Sequence, residues 1–410
     1  GHPHQGDPKA ERKAAKRKTP KRNRQEHGHE AYSPRLENRR QRIPVSHQGF
    51  VQLTYTPMIS STLPPLAPST ARLAYLDLTK CCAIFCVVLG HVFQWTFPGD
   101  PYHDSMTFQF IYAFHMPLFM MLSGCFLGKI FKLNPIQFLQ KRFVQLLLPV
   151  LTFSCLFVIG NHLKALFTPT ASTVNFFSYL GSGWMWFLKY LFVDTVIAYA
   201  SRRLLHKEWL AALLPTLLLF CLTRNTMFRL LPYLWAGYYI YKHKAFFDRH
   251  LNTMLAVSAM SFAVFLIFWK GDYDAAHRFV FFKPSFHLEF AGFYMATVRL
   301  LVGMAGSMTF IFFFKWLYSR IDRLSLTRIC CKVGRQTLGI YCLQIYILEE
   351  ALTRLCPLTF HFTGDVIARC LIAAVILAVC SFGVSLLERS RWTALLFLGK
   401  SRKKDPGESM

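Results

Sequence analysis

The feature that most constrains this chain is a series of long apolar runs. Ten can be read, at roughly 76–97, 107–127, 143–160, 184–200, 209–223, 229–241, 251–269, 293–314, 335–352 and 366–387. Most approach the ~17–25 residues that a helix needs to cross a hydrocarbon core. The fifth, sixth and ninth are short or interrupted. In lipid every backbone N–H and C=O must be satisfied within its own segment, so such runs fold as helices. The expected architecture is therefore all-α: a polytopic membrane bundle of about ten spans. Composition agrees, because a chain that is 53% hydrophobic with 40 Phe would be hard to keep in water as a soluble domain.

A net charge of +26 would by itself suggest a nucleic-acid partner. Mapping the charges removes that reading, since most lie in short loops between apolar runs. With the N-terminus cytoplasmic, the loops around 128–142, 201–208, 242–250 and 315–335 and the segment after 387 hold 22 Lys and Arg. The opposite loops hold seven: Lys164, Arg224, Arg229, Lys270, Arg278, Lys283 and Arg354. The positive-inside rule then puts both termini on the cytoplasmic side and makes the number of spans even. Losing a neighbouring pair, to give eight, would preserve most of this asymmetry. Twelve cysteines, mostly within apolar runs and without a CxxC pair, read as small buried hydrophobes with no metal site.

Residues 1–70 are different in kind. "PKAERKAAKRKTPKRNRQ" has nothing to build a core from and is expected to be a disordered basic tail. The functional polypeptide is expected to begin near Met58. The membrane domain is placed at 71–390, and 391–410 is read as a cytoplasmic basic tail.

Ionisable residues inside lipid cost about 3 kcal/mol or more each and usually face a cavity or one another. This chain carries Lys80, His91, His115, Lys189, Asp194, Arg299 and Glu349 within its runs, with Asp77 and Arg369 near their edges. Lys80 and His91 are eleven residues apart, which is three helical turns plus about 20°. They share a face, some ~16 Å apart along the axis. Asp77 lies one turn before Lys80, at a spacing that lets the two side chains pair. Span 1 runs outward and span 2 inward, so His115 is expected at a depth similar to His91. Pro117 should disturb span 2 nearby, and Ser123 and Gly124 allow close helix packing on its inner half. Each has a simpler structural role as well: a boundary ion pair for Asp77 and Lys80, and snorkelling to the outer face for Lys189.

These stretches also carry a resemblance. "LDLTKCCAIFCVVLGH" at 76–91 is similar to the first-helix signature of the integral-membrane acyltransferase-3 family, with an acidic residue, a basic residue and a histidine in that order. "FHMPLFMMLSG", "FLQKRFVQLLLP", "WMWFLKYLF", "LLPYLWAGYYIYK" and "VGRQTLGIYCLQIYIL" resemble later family segments, in register over about 72–390. The resemblance implies a plasma-membrane (inner-membrane) enzyme that moves an acyl group, commonly acetyl, from acyl-CoA to a hydroxyl of an envelope glycan or related small molecule. Two positions depart from it. Lys80 stands where Arg is usual, which keeps the charge and loses the planar fork. Gln344 stands where many relatives have His, which leaves an amide in place of a titratable ring. No hydrolase-like domain follows the last run within these residues, so a second acyl-transfer step is expected to need another, extracytoplasmic protein.

On this reading acyl-CoA approaches from the cytoplasmic side. Lys141 and Arg142 contact its phosphates, with Lys80 near the mouth and the Asp77–Lys80 pair holding the local geometry. His91 acts as general base on the acceptor hydroxyl or as an acyl-accepting nucleophile. His115 orients it or helps bind the acceptor. Trp184 and Trp186 stack on a sugar or anchor the interface. Arg299 binds an anionic acceptor or pairs with Glu349, and Gln344 contributes to substrate binding. Intramembrane charge equally suits a transporter of glycan or lipid-linked substrate. Against that, the two halves show no internal repeat and no matching pair of Gly/Pro-broken helices. A catalytically dead regulatory membrane protein is the third alternative, which the retained histidines disfavour.

Overall fold

The computed structural model describes residues 68–95, 102–167, 173–222, 229–269, 290–348 and 366–400. The predicted tail before 68, Met58 and Glu349 lie outside them. Among the described residues the structure is helical, with no strand. The helices that matter here are α1 (Pro68–Trp95), α2 (Met106–Gly124), α3 (Pro135–Phe167), α4 (Trp186–Leu204), α5 (Glu208–Leu222) and α6 (Leu231–Lys242). They are followed by α7 (Leu251–Ile267), α8 (Phe290–Ile321), α9 (Ser325–Arg335), α10 (Thr337–Ile345), α11 (Val366–Leu387) and α12 (Arg391–Leu398).

A helix stands at each of the ten predicted runs. Among the described residues, five helical stretches are long and apolar enough to cross a membrane: Ala74–Trp95, Met106–Gly124, Pro135–Phe167, Phe293–Ile321 and Val366–Leu387. The last shows what the surroundings must be. Ile367, Leu371, Val375, Val379 and Phe382 are exposed along one face of α11, while Ala373, Ile376, Cys380 and Val384 are buried on another. A helix apolar on both its packed and its open faces belongs in lipid. The chain is an integral membrane protein.

The centre of the bundle is α1, packed by α2, α8, α9, α10 and α11. That burial is why a polar stripe on α1 must face a cavity or a partner. Two crossings are unusually close. A Cβ on Gly124 would lie 1.9 Å from the Leu234 carbonyl oxygen, and one on Gly237 would lie 1.8 Å from that of Met121. The α2–α6 contact thus runs backbone to backbone, as the small residues at the end of span 2 foretell. The α1–α9 crossing is the other: a Cβ on Gly334 would lie 1.8 Å from the Asp77 carbonyl oxygen.

Helix α3 begins where Asn134 accepts a hydrogen bond from the Gln137 amide (2.8 Å), with Pro135 in the first turn. This cap sets the register that delivers Lys141 and Arg142 to the next turn. There the helix passes through a π-helical turn, Phe143–Leu147. Such turns recur at functional sites because they re-aim side chains without ending the helix. Asn134→Ala is expected to cost about 1 kcal/mol, read as a small fall in the thermal midpoint of the detergent-solubilised protein.

Candidate active site

One face of α1 carries Lys80, Ile84, Val87 and His91, at intervals of four, three and four residues. The first three line an inner cavity of about 450 Å³. His91 lines a separate outer cavity of about 270 Å³. The spacing argument from sequence therefore holds, and the stripe connects two chambers. Tyr341 of α10 lines both and forms a shared wall between them.

The inner cavity has apolar walls from Phe119, Leu122, Phe187 and Leu191 and a strongly basic edge of Lys80, Lys129, Lys141, Arg142 and Lys400. Lys80 Nζ donates to Asp77 Oδ1 at 3.1 Å, the pair expected from the i, i+3 spacing, and lies 5.0 Å from the Phe126 ring centre. Arg335 adds a second cation, 3.9 Å from Asp77 Oδ2. Asp77 is thus held between two positive charges on different helices. Arg142 Nη1 donates to Gln145 in the π turn (3.4 Å), while its Nε is buried without a hydrogen-bond partner. Helix α12, which sequence reading placed in a tail, packs against α3 and α11, and Leu398, Gly399 and Lys400 complete the cavity. Gly399 has φ 61°, the left-handed conformation of a helix C-terminus, with its Cα against Val144 and Gln145. Lys400 is ion-paired with Glu388. Burial raises the Glu388 pKa, but the Lys400 ammonium, the Gln336 amide and the Lys332 charge together hold the carboxyl below its usual range.

The outer site turns on one contact that sequence spacing does not reveal. His91 Nδ1 donates to Gln344 Oε1 at 3.0 Å, across 253 residues. The amide NH₂ of Gln344 in turn donates to the Tyr341 carbonyl oxygen (3.4 Å). An amide oxygen can only accept, so Nδ1 of neutral His91 carries the proton and Nε2 keeps its lone pair. Gln344 is fully buried and lines neither cavity, so its amide serves the histidine. His115 is also buried and donates through Nδ1 to the Ile111 carbonyl oxygen (2.7 Å). It lies within electrostatic reach of His91 and Arg299, and its ring meets Tyr112 edge-on at 4.7 Å. Tyr233 donates to the Arg299 carbonyl oxygen at 3.0 Å. The two histidines, Gln344 and Arg299 thus converge from α1, α2, α10 and α8. The proposed partner of Arg299, Glu349, lies outside the described residues.

Trp184 and Trp186 both line the outer cavity, as does Trp95. Asp194 is fully buried and lines neither cavity. Sequence reading missed Arg335, Tyr341 and Lys400; the one local signal was the glycine before Arg335 in "VGRQTLGIYCLQ".

Comparison with known proteins gives the same direction. Nodulation protein NolL of Sinorhizobium fredii is 36% identical over 117 residues, covering 27% of this chain and 32% of that protein. Nodulation protein NolL of Mesorhizobium japonicum is 33% identical over 127 residues, covering 30% of this chain and 34% of that protein. The chain spans about a third of the length of these curated relatives. No solved structure matches significantly. The acyltransferase domain of the acyltransferase-3 family matches residues 73–387, which take in the outer cavity, every residue of the histidine cluster and all of the inner cavity except the edge formed by Leu398, Gly399 and Lys400. The chain belongs to the acyltransferase-3 family.

Proposed function

We propose that this protein is a membrane O-acyltransferase that carries an acyl group, commonly acetyl, from acyl-CoA to a hydroxyl of a glycan or related acceptor. The observation that carries this reading is the pair of cavities meeting at Tyr341, one with a basic edge and one holding His91 with a free Nε2. A CoA thioester needs cations for its phosphates and an apolar channel for its arm. Lys129, Lys141, Arg142 and Lys400 suit the first, and the inner cavity suits the second. Lys80 stands along that route, tied to Asp77. A hydroxyl acceptor needs a base of near-neutral strength, and His91 is the imidazole on the acceptor side.

In the direct route, Nε2 of His91 takes the hydroxyl proton as the oxygen attacks the thioester carbonyl. The C–S bond breaks, and the proton passes on to the departing thiolate. Gln344 keeps the base in the required tautomer. His115 and Arg299 lie behind it, where they hold the ring or meet the acceptor. Basic loops on the inner side, an N-terminus on that side and about ten spans remain the topology that fits this donor route.

The test uses detergent-purified full chain, radiolabelled acetyl-CoA and an envelope extract. Label entering a glycan or lipid fraction with wild type, and not with His91→Ala, is the expected result. Well-folded wild type that transfers no label from acetyl- or succinyl-CoA and binds neither would move the carrier alternative ahead. Lys80→Ala is expected to raise the donor KM about tenfold, the equivalent of one charge-assisted hydrogen bond. An unchanged donor KM would remove Lys80 from the donor site.

A further inference from the structure

We infer that Lys189 is a positioning residue: it holds the turn that carries Trp184 and Trp186, and so shapes the outer cavity into a site for a single sugar ring. Calling that ring the acceptor rests on the acyltransferase reading above. The ring site itself rests only on the geometry that follows.

Lys189 lies in the first turn of α4. An ammonium near the end of an apolar helix ordinarily reaches for water. This one turns back on the chain. Its Nζ donates to the carbonyl oxygens of Leu180 (2.9 Å) and Ser182 (2.6 Å). Leu180 lies in the last turn of the short helix Phe176–Gly181, and Ser182 follows it in the turn that leads to α4. The turn's own bonds are local: the Ser182 amide donates to the Ser178 (3.0 Å) and Tyr179 (3.1 Å) carbonyl oxygens, Ser182 Oγ donates to the Tyr179 carbonyl oxygen (2.5 Å), the Trp184 amide donates to Ser182 Oγ (3.3 Å) and the Trp186 amide donates to the Gly183 carbonyl oxygen (3.2 Å).

The turn is also strained. Met185 has φ 48°, the only non-glycine residue in the left-handed region among the described residues, and it is 1% exposed. A side chain with a Cβ resists that conformation, so the surroundings must impose it. Two charge-assisted hydrogen bonds from the half-buried Lys189 tie this segment to the first turn of α4. The strain has a consequence for placement, because Met185 separates the two tryptophans that face the cavity.

Four aromatic side chains, Trp95, Trp184, Trp186 and Tyr341, stand around His91 in a space of about 270 Å³. Small-molecule sites usually run ~300–1,000 Å³, so this one suits one ring and excludes a chain of them. Trp184 is braced by the Tyr179 ring at 4.9 Å. Its Nε1 is shut off from solvent and has no hydrogen-bond partner. Aromatic faces beside the imidazole of His91 match a saturated ring that offers a C–H face and a hydroxyl edge. A sugar ring has both.

The probe is methyl β-D-glucopyranoside, a one-ring glycoside, titrated against the full chain in detergent and read by intrinsic tryptophan fluorescence. Wild type should show saturable quenching, Lys189→Met at least tenfold weaker binding, and Lys189→Arg, which can reach both carbonyls, near-normal binding. Binding of radiolabelled acetyl-CoA, measured without sugar, should be the same in all three. No saturable binding by wild type, or normal binding by Lys189→Met, overturns the inference. Should Lys189→Met fail to fold, Trp184→Leu removes the aromatic face from the cavity wall. Normal binding by that variant overturns the inference, and loss supports it. Sugar binding by a protein that neither binds acetyl- or succinyl-CoA nor transfers label from them would leave this site standing while the acyltransferase reading falls.

Discussion

His91→Ala is expected to lower acyl transfer about 10²–10⁴-fold, the usual contribution of a positioned general base, while the protein still folds and inserts. The expectation follows from where the ring stands. His91 is half-buried at the edge of a cavity, so removing it leaves a space that solvent or acceptor can fill without unpacking α1. Its one hydrogen bond to protein engages Nδ1. Gln344→Leu keeps nearly the same volume and removes that bond, which frees the proton to sit on either nitrogen. One such bond is worth about 1 kcal/mol, so the rate should fall about fivefold to tenfold. Labelled acetyl-CoA transfer and a size-exclusion profile, run on both variants, check the pair. A folded His91→Ala protein with the wild-type rate would remove the histidine from the mechanism. Gln344→Leu as damaging as His91→Ala would mean that the amide meets substrate after all.

Gly334→Ala should damage both stability and donor use. Its Cβ would lie 1.8 Å from the Asp77 carbonyl oxygen and 2.6 Å from the carbonyl carbon. Both are backbone atoms, so no rotamer change relieves the clash, and α9 must move off α1. Overpacking of this kind costs about 1–3 kcal/mol, and more where nothing yields. The same movement carries Arg335 away from Asp77 and loosens the partner of Lys80. A lower thermal midpoint together with a raised donor KM is the expected signature. Gly181→Ala is the control, because an added Cβ there meets nothing within 4 Å. Equal midpoints for the two variants would show that the α1–α9 crossing is looser than drawn.

Much of the site was legible in the chain because helical geometry is local. The interval from Lys80 to His91 places both on one face whatever surrounds the helix. Asp77 meets Lys80 for the same reason. Gly124 announces a close crossing because only a residue without a Cβ permits one. The long apolar runs determined the all-helical membrane class, since lipid leaves the backbone no other way to pair its polar groups in a lone segment. The family followed from several such segments in order.

Other features waited for the bundle. Nothing near His91 names Gln344, 253 residues away, as its hydrogen-bond partner. Lys189 reads as a residue that snorkels, because a sequence does not show which carbonyl oxygens a broken turn leaves within reach. Arg335 and Lys400 read as loop charges until α9 folds against α1 beside Asp77 and α12 folds against the cavity edge. Tyr341 looks like one aromatic among many until it stands between two chambers. The sequence by itself determined which residues share a helix face and that the helices lie in lipid. Tertiary structure alone decided which faces meet, because that choice rests on shape and polar pairing between segments hundreds of residues apart, where no local periodicity reaches.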